Sequence, residues 1–143
     1  MNTPRREVAA DSKLCLVYSW TGIGQVVLEA DKLRFPAVSD TPGIYRFDLG
    51  GRSYVGEADR LRRRFQHYRT PGPSQSTNLR LNALMRQLVA DGVVVAVSTI
   101  TAVTVEIDGR RMPLDLARKE ARLLVESAAL VAARANGSIV ENL

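Results

Sequence analysis

The sequence predicts a mixed α/β (α+β) fold, and three observations predict it. β-Branched and aromatic residues on either side of a glycine pair, over residues 43–55, suit a half-buried hairpin. Apolar residues recur at helical spacing over 61–68, 81–88 and 114–135, which is the signature of amphipathic helices. Extended runs at Val93 to Val97 and Val103 to Ile107 separate the last two helical stretches.

Taken in order, residues 1–10 show no regular pattern and are expected to be disordered. Leu14-Cys15-Leu16-Val17-Tyr18 and Gln25-Val26-Val27-Leu28 read as short strands or as the start of a helix. Gly22-Ile23-Gly24 lacks the full dinucleotide fingerprint and any following phosphate-loop lysine, so it reads as a turn.

Gly43-Ile44-Tyr45-Arg46-Phe47-Asp48-Leu49 forms the first hairpin strand, and Gly50-Gly51 supplies the positive φ angles of a tight turn. Arg52-Ser53-Tyr54-Val55 returns, and Gly56 ends the strand. Antiparallel pairing brings Tyr45 and Tyr54 close together. Their register stays open, because a slip of one residue reverses the faces.

Asp59 is placed to cap a helix from about Arg60 to Arg69. Leu61, Phe65 and Tyr68 form its apolar stripe, with Arg60 and Arg64 beside it and His67 continuing their side. Pro71-Gly72-Pro73 stops it. The next helix runs from Thr77 to Asp91 with Ser76 or Thr77 as N-cap, a core stripe of Leu81, Leu84, Met85 and Leu88, and Gly92 at its end. Val93 to Val97 is a candidate third strand of the hairpin sheet, and Val103 to Ile107 turns at Asp108-Gly109. Leu114 to Ala135 is rich in alanine and leucine and helical in period.

Composition narrows the chemistry. The 143 residues suit one domain, and 45% hydrophobic residues can bury a core. No apolar run reaches membrane-spanning length, and no secretory signal is evident. A lone Cys15 excludes an internal disulfide and suits a reducing, cytoplasmic setting; with His67 the single histidine, zinc is disfavoured. Net charge is +5, and six arginines fall between Arg52 and Arg69. Such clustering points to a polyanionic partner.

At Gly43-Ile44-Tyr45, Tyr54-Val55-Gly56, Arg64 and Tyr68, followed by Thr77-Asn78-Leu79-Arg80-Leu81-Asn82, the chain resembles the GIY-YIG nuclease family. The resemblance runs from about Pro42 to the C-terminus. It divides the chain into residues 1–40, an N-terminal extension of open role, and 41–143, a nuclease-like domain. It implies a small three-stranded antiparallel sheet flanked by helices, with the active site on one face of the sheet.

The resemblance also implies a metal-dependent endonuclease that hydrolyses DNA to 3′-hydroxyl and 5′-phosphate ends. The alternative is a catalytically silent nucleic-acid-binding module of the same fold. Tyr45, Tyr54, Arg64 and Tyr68 match the family's catalytic positions. Glu126, amid apolar residues of the last helix, matches the ligand of a single Mg2+ or Mn2+ ion; Glu120 is its rival. Asn142 matches a terminal asparagine of the family. Glu57 departs from the pattern, since many relatives place lysine, glutamine or serine after the second tripeptide. It could repel phosphate or pair with an arginine.

Arg60, Arg63, His67, Asn78 and Arg80 complete the expected nucleic-acid contacts, with Asn78 read equally as a helix-capping residue. The expected partner is double-stranded or branched DNA, with no membrane. Beyond residues 1–40 the chain leaves little room for a separate DNA-reading module, so a nuclease that is structure-selective, weakly specific, homodimeric or dependent on a partner protein is expected.

Overall fold

The computed structural model describes residues 10–141. The start of the chain, expected to be disordered, and Asn142 lie outside the described residues.

A six-stranded sheet and a small three-stranded sheet organise the chain. The larger sheet has the order β3-β2-β6-β4-β5-β9, where β2 is Thr21–Glu29, β3 Lys32–Arg34, β4 Gly43–Asp48, β5 Arg52–Ala58, β6 Val95–Ile100 and β9 Ile139–Glu141. The smaller has the order β1-β7-β8, from Leu14–Tyr18, Val103–Ile107 and Arg110–Pro113. All pairings are antiparallel except that of β5 with β9. The antiparallel trio β6-β4-β5 is the expected hairpin plus its third strand.

Segment 14–34, to which the sequence assigned no role, supplies β1, β2 and β3. Val26 and Leu33 enter the same core as Tyr45 and Phe47, and the Arg46 guanidinium lies 4.6 Å from the centre of the Trp20 ring. Gly22-Ile23-Gly24 is not a turn but lies within β2, where the register with β6 shifts between Gly22 and Gly24. Gly24 has φ +138°, and a Cβ there would press on Pro36, so the glycine permits a bulge rather than a reversal.

Strand alternation builds two cores. Tyr45 and Phe47 point to one face of β4, with Leu49 just beyond the strand in the same core, where α1 (Leu61–Arg69) and α2 (Ser76–Ala90) cover them with Leu61, Phe65, Tyr68, Leu81 and Met85. Ile44 points to the other face and packs with Val55, Ile100, Val103, Leu116 and Val125, the last from α3 (Lys119–Ala135). The hairpin turn has Gly50 at φ +66° and Gly51 at φ +90°, as a two-residue turn of matching twist requires.

Helix starts differ from expectation. Asp59 does not cap α1. Its N-cap is Arg60, with no side-chain cap bond, and the Asp40 carboxylate instead accepts the Arg63 N–H at 3.1 Å. Thr41 adds a carbonyl that accepts the Leu61 N–H at 3.0 Å. A carboxylate over the first turn satisfies an orphan donor and suits the helix dipole. The last helix starts at Lys119 rather than Leu114. Asp115 accepts the Ala117 N–H in a local turn, and Leu116 turns into the core. No helix among the described residues is long and apolar enough to cross a membrane.

Candidate active site

The hairpin register pairs Tyr45 with Gly56 and Phe47 with Tyr54. Tyr45 and Tyr54 therefore stand diagonally across the pair, with ring centres 6.4 Å apart. Both tripeptide glycines are forced by close approach. A Cβ on Gly56 would overlap the Tyr45 phenol, which lies across it, and a Cβ on Gly43 would come within 2.8 Å of both the Ile100 carbonyl oxygen and a Leu61 methyl. We expect Gly56→Ala to cost about 1–3 kcal/mol, as over-packing does. Urea unfolding checks this, with Gly22→Ala as a control at a position with open space around the Cβ and no positive φ.

Lying across Gly56, the Tyr45 hydroxyl reaches the β5 edge. Among the described residues, β9 pairs with β5 only as far as Tyr54. Beyond that point a pocket of about 310 Å³ opens, lined by Tyr45, Tyr54, Val55, Gly56, Glu57, Arg64, Glu126, Leu130 and Arg134. Tyr45 and Tyr54 come from the hairpin, Arg64 from α1 on one face of the sheet, and Glu126 from α3 on the other. The pocket thus wraps the edge of β5 rather than lying on one face.

Tyr68 stands behind this pocket. Its hydroxyl is 2.5 Å from that of Tyr45, and both side chains are almost fully buried. Burial, helped by the neighbouring Tyr54 hydroxyl, pushes the Tyr45 pKa well above the ordinary tyrosine value, and Arg64 only partly offsets it. Burial likewise raises Tyr68, with Tyr45 and Tyr54 adding to the effect. Both remain neutral hydroxyls at neutral pH. Burial works against the Arg64 charge, but the Tyr45 and Tyr68 hydroxyls and the Glu57 carboxylate outweigh it and raise its pKa. Arg64 is a permanent cation whose charge the neighbouring Tyr45 hydroxyl favours.

Glu126 is half-buried. Burial and the Glu57 charge raise its pKa, while Arg64 and the Glu57 backbone N–H favour its charged form. A carboxylate held at this cost is eased by a bound cation. Among the described residues no group of three or more His, Cys, Asp or Glu side chains could hold a metal. A cation here would rest on Glu126, with water and substrate oxygens as its other ligands, a donor set that suits magnesium. The rival Glu120 is exposed and bonded to Arg118 at 2.8 Å, outside the pocket.

Arg60, Arg63 and His67 line a second hollow of about 250 Å³ with Asp59, and Arg64 lines both. Arg60 is also tied to Asp40 at 2.6 Å. Asn78 and Arg80 do not join either hollow. The Asn78 amide donates to Gln75 Oε1 at 2.9 Å, which also accepts the Gly72 N–H. Arg80 is exposed on α2.

The structure adds residues that the sequence reading passed over. Arg122 bonds Glu57 at 2.6 Å, so Glu57 takes the pairing option rather than standing free beside phosphate. Arg134 lines the pocket. The signal was present: Arg122, Glu126, Leu130 and Arg134 repeat every fourth residue on α3 and so share one face.

In fold, the chain is similar to bacteriophage T4 EndoII. The similarity is to a mutant of that protein, at 19% identity, covering 77% of this chain and 88% of the other, with a TM-score of 0.53. The restriction endonuclease HPY188I in complex with product DNA is a weaker likeness, at 14% identity over 80% of this chain and 76% of the other, with a TM-score of 0.44. No protein-family profile and no curated protein sequence matches the chain.

Proposed function

We propose that the chain is a metal-dependent DNA endonuclease of the GIY-YIG type, acting in the cytoplasm and leaving 3′-hydroxyl and 5′-phosphate ends. The observation that carries this reading is convergence. Two hairpin tyrosines, an arginine and a carboxylate, drawn from separate elements, line one pocket sized for a phosphate group and its surroundings. The basic hollow beside it continues the positive surface that a nucleic-acid strand follows.

Each residue has a role set by its chemistry. Arg64, planar and always charged, pairs two oxygens of the scissile phosphate and stabilises the charge that grows there during attack. Tyr45 is kept neutral by burial and bonded to Tyr68, so it acts as an oriented hydroxyl beside Arg64 in the pocket and does not take the proton. Tyr54, half-buried and facing the pocket, is the tyrosine that orients the attacking water. Glu126 would hold the divalent ion, Mg2+ or Mn2+. When bound, that ion supplies charge stabilisation at the leaving 3′ oxygen.

The products test the chemistry. A nicked plasmid made by the chain with Mg2+ should be resealed by a DNA ligase that needs adjoining 3′-hydroxyl and 5′-phosphate ends. Ends that ligase seals only after phosphatase and kinase treatment would overturn the assignment.

A further inference from the structure

Glu57 projects into the pocket beside Glu126 and Arg64. Left free, it and Glu126 would cancel the charges of Arg64 and Arg134, the two cations that line the pocket. A pocket balanced in this way would have little to offer a phosphodiester. Strand alternation turns Glu57 toward α3, on the side opposite Tyr54 and Ala58. There Arg122, one turn before Glu126, meets it.

The guanidinium of Arg122 is fixed at three points. Its Nε donates to Glu57 Oε2 at 2.6 Å, and its Nη1 donates to the carbonyls of Leu116 at 3.1 Å and Ala117 at 3.0 Å. The Arg122 side chain is only 7% exposed and that of Glu57 only 15%. A guanidinium with its donors so occupied is a fixed fork rather than a mobile surface charge. Leu116 lies in the core packed against Val125, so the anchor belongs to the rigid part of the fold.

We propose that Arg122 is a positioning residue that holds the Glu57 carboxylate out of the cation and phosphate positions, leaving Glu126 as the working carboxylate. The inference rests on the nuclease reading for what the pocket binds. It adds that Glu57 is a clamped structural partner and not a second cation ligand. It also adds that the charge of Arg122 is what allows an acidic residue at this place on β5.

The test separates the pair from the reaction. Mn2+ binding is measured calorimetrically without DNA, and binding of a short fluorescent duplex is measured by anisotropy in EDTA. Arg122→Met frees a carboxylate beside Glu126. Mn2+ should then bind more tightly and duplex more weakly, each by about tenfold, the order expected for one unit charge a few Å away. Adding Glu57→Gln to that variant should reverse both changes.

Glu57→Gln alone, which keeps an acceptor for Arg122, serves if Arg122→Met does not fold. It should tighten duplex binding by several-fold and shift Mn2+ affinity by no more than a few-fold. Affinities unmoved in all variants, both weakened by Arg122→Met without rescue, or Mn2+ binding lost in Glu57→Gln would overturn the proposal. Failure of the nuclease reading shows differently, as wild-type protein that binds duplex but does not cut it.

Discussion

Replacing Arg64 with alanine is expected to lower DNA cleavage by about 10³-fold, the scale seen when a charge-stabilising group at a reacting phosphate or oxyanion is removed. The fold should survive. Arg64 is only half-buried, at the edge of α1, while the helix is anchored by Leu61, Phe65 and Tyr68. The loss should fall on kcat, since the arginine works hardest on charge that develops in the transition state. Arg64→Lys should recover part of the charge but not the two-pronged geometry. Single-turnover cleavage at saturating protein, with a circular dichroism melt of each variant, reads both effects.

Glu126→Gln is expected to move activity and stability in opposite directions. Cation-dependent cleavage should fall by about 10³-fold, because a bound divalent ion contributes several kcal/mol of charge stabilisation. Stability should rise at neutral pH. The Glu126 pKa is raised in the folded chain, first by burial and then by Glu57. A carboxyl whose folded pKa exceeds its unfolded value binds its proton more tightly when folded. Its favourable contribution is present below the unfolded pKa and lost as pH rises through the folded one. At neutral pH the ionised group is therefore a burden that glutamine removes. Thermal melts without metal, at pH 7 and pH 4, check the sign: the advantage of the variant should shrink at the lower pH.

What was legible in the sequence was local. The glycine turn at 50 and 51, the stripe of Leu61, Phe65 and Tyr68, and the strand Val103–Ile107 with its turn at Asp108-Gly109 are set by neighbours a few residues apart, and the structure has them. Five of the singled-out residues, Tyr45, Tyr54, Arg64, Tyr68 and Glu126, stand in or directly behind one pocket. Long-range partnership was not legible. Asp40 caps a helix whose bonded N–H is 23 residues away, and Arg122 meets Glu57 across 65 residues. Neither separation leaves a periodic trace. The pairing of β2 with β6 was hidden for a related reason: two glycines broke the alternation of β2 at its bulge and imitated a turn. Asp59 misled as a cap because it had the right residue type at the right place, while tertiary contact supplied a better acceptor.

The most direct test of the account is nicking of supercoiled plasmid, and of a branched oligonucleotide, with Mg2+ or Mn2+, by wild type beside Arg64→Ala and Glu126→Gln. The account predicts cation-dependent cleavage by wild type and its loss in both folded variants. Cleavage that persists in either variant, or that wild type performs equally well in EDTA, would contradict it.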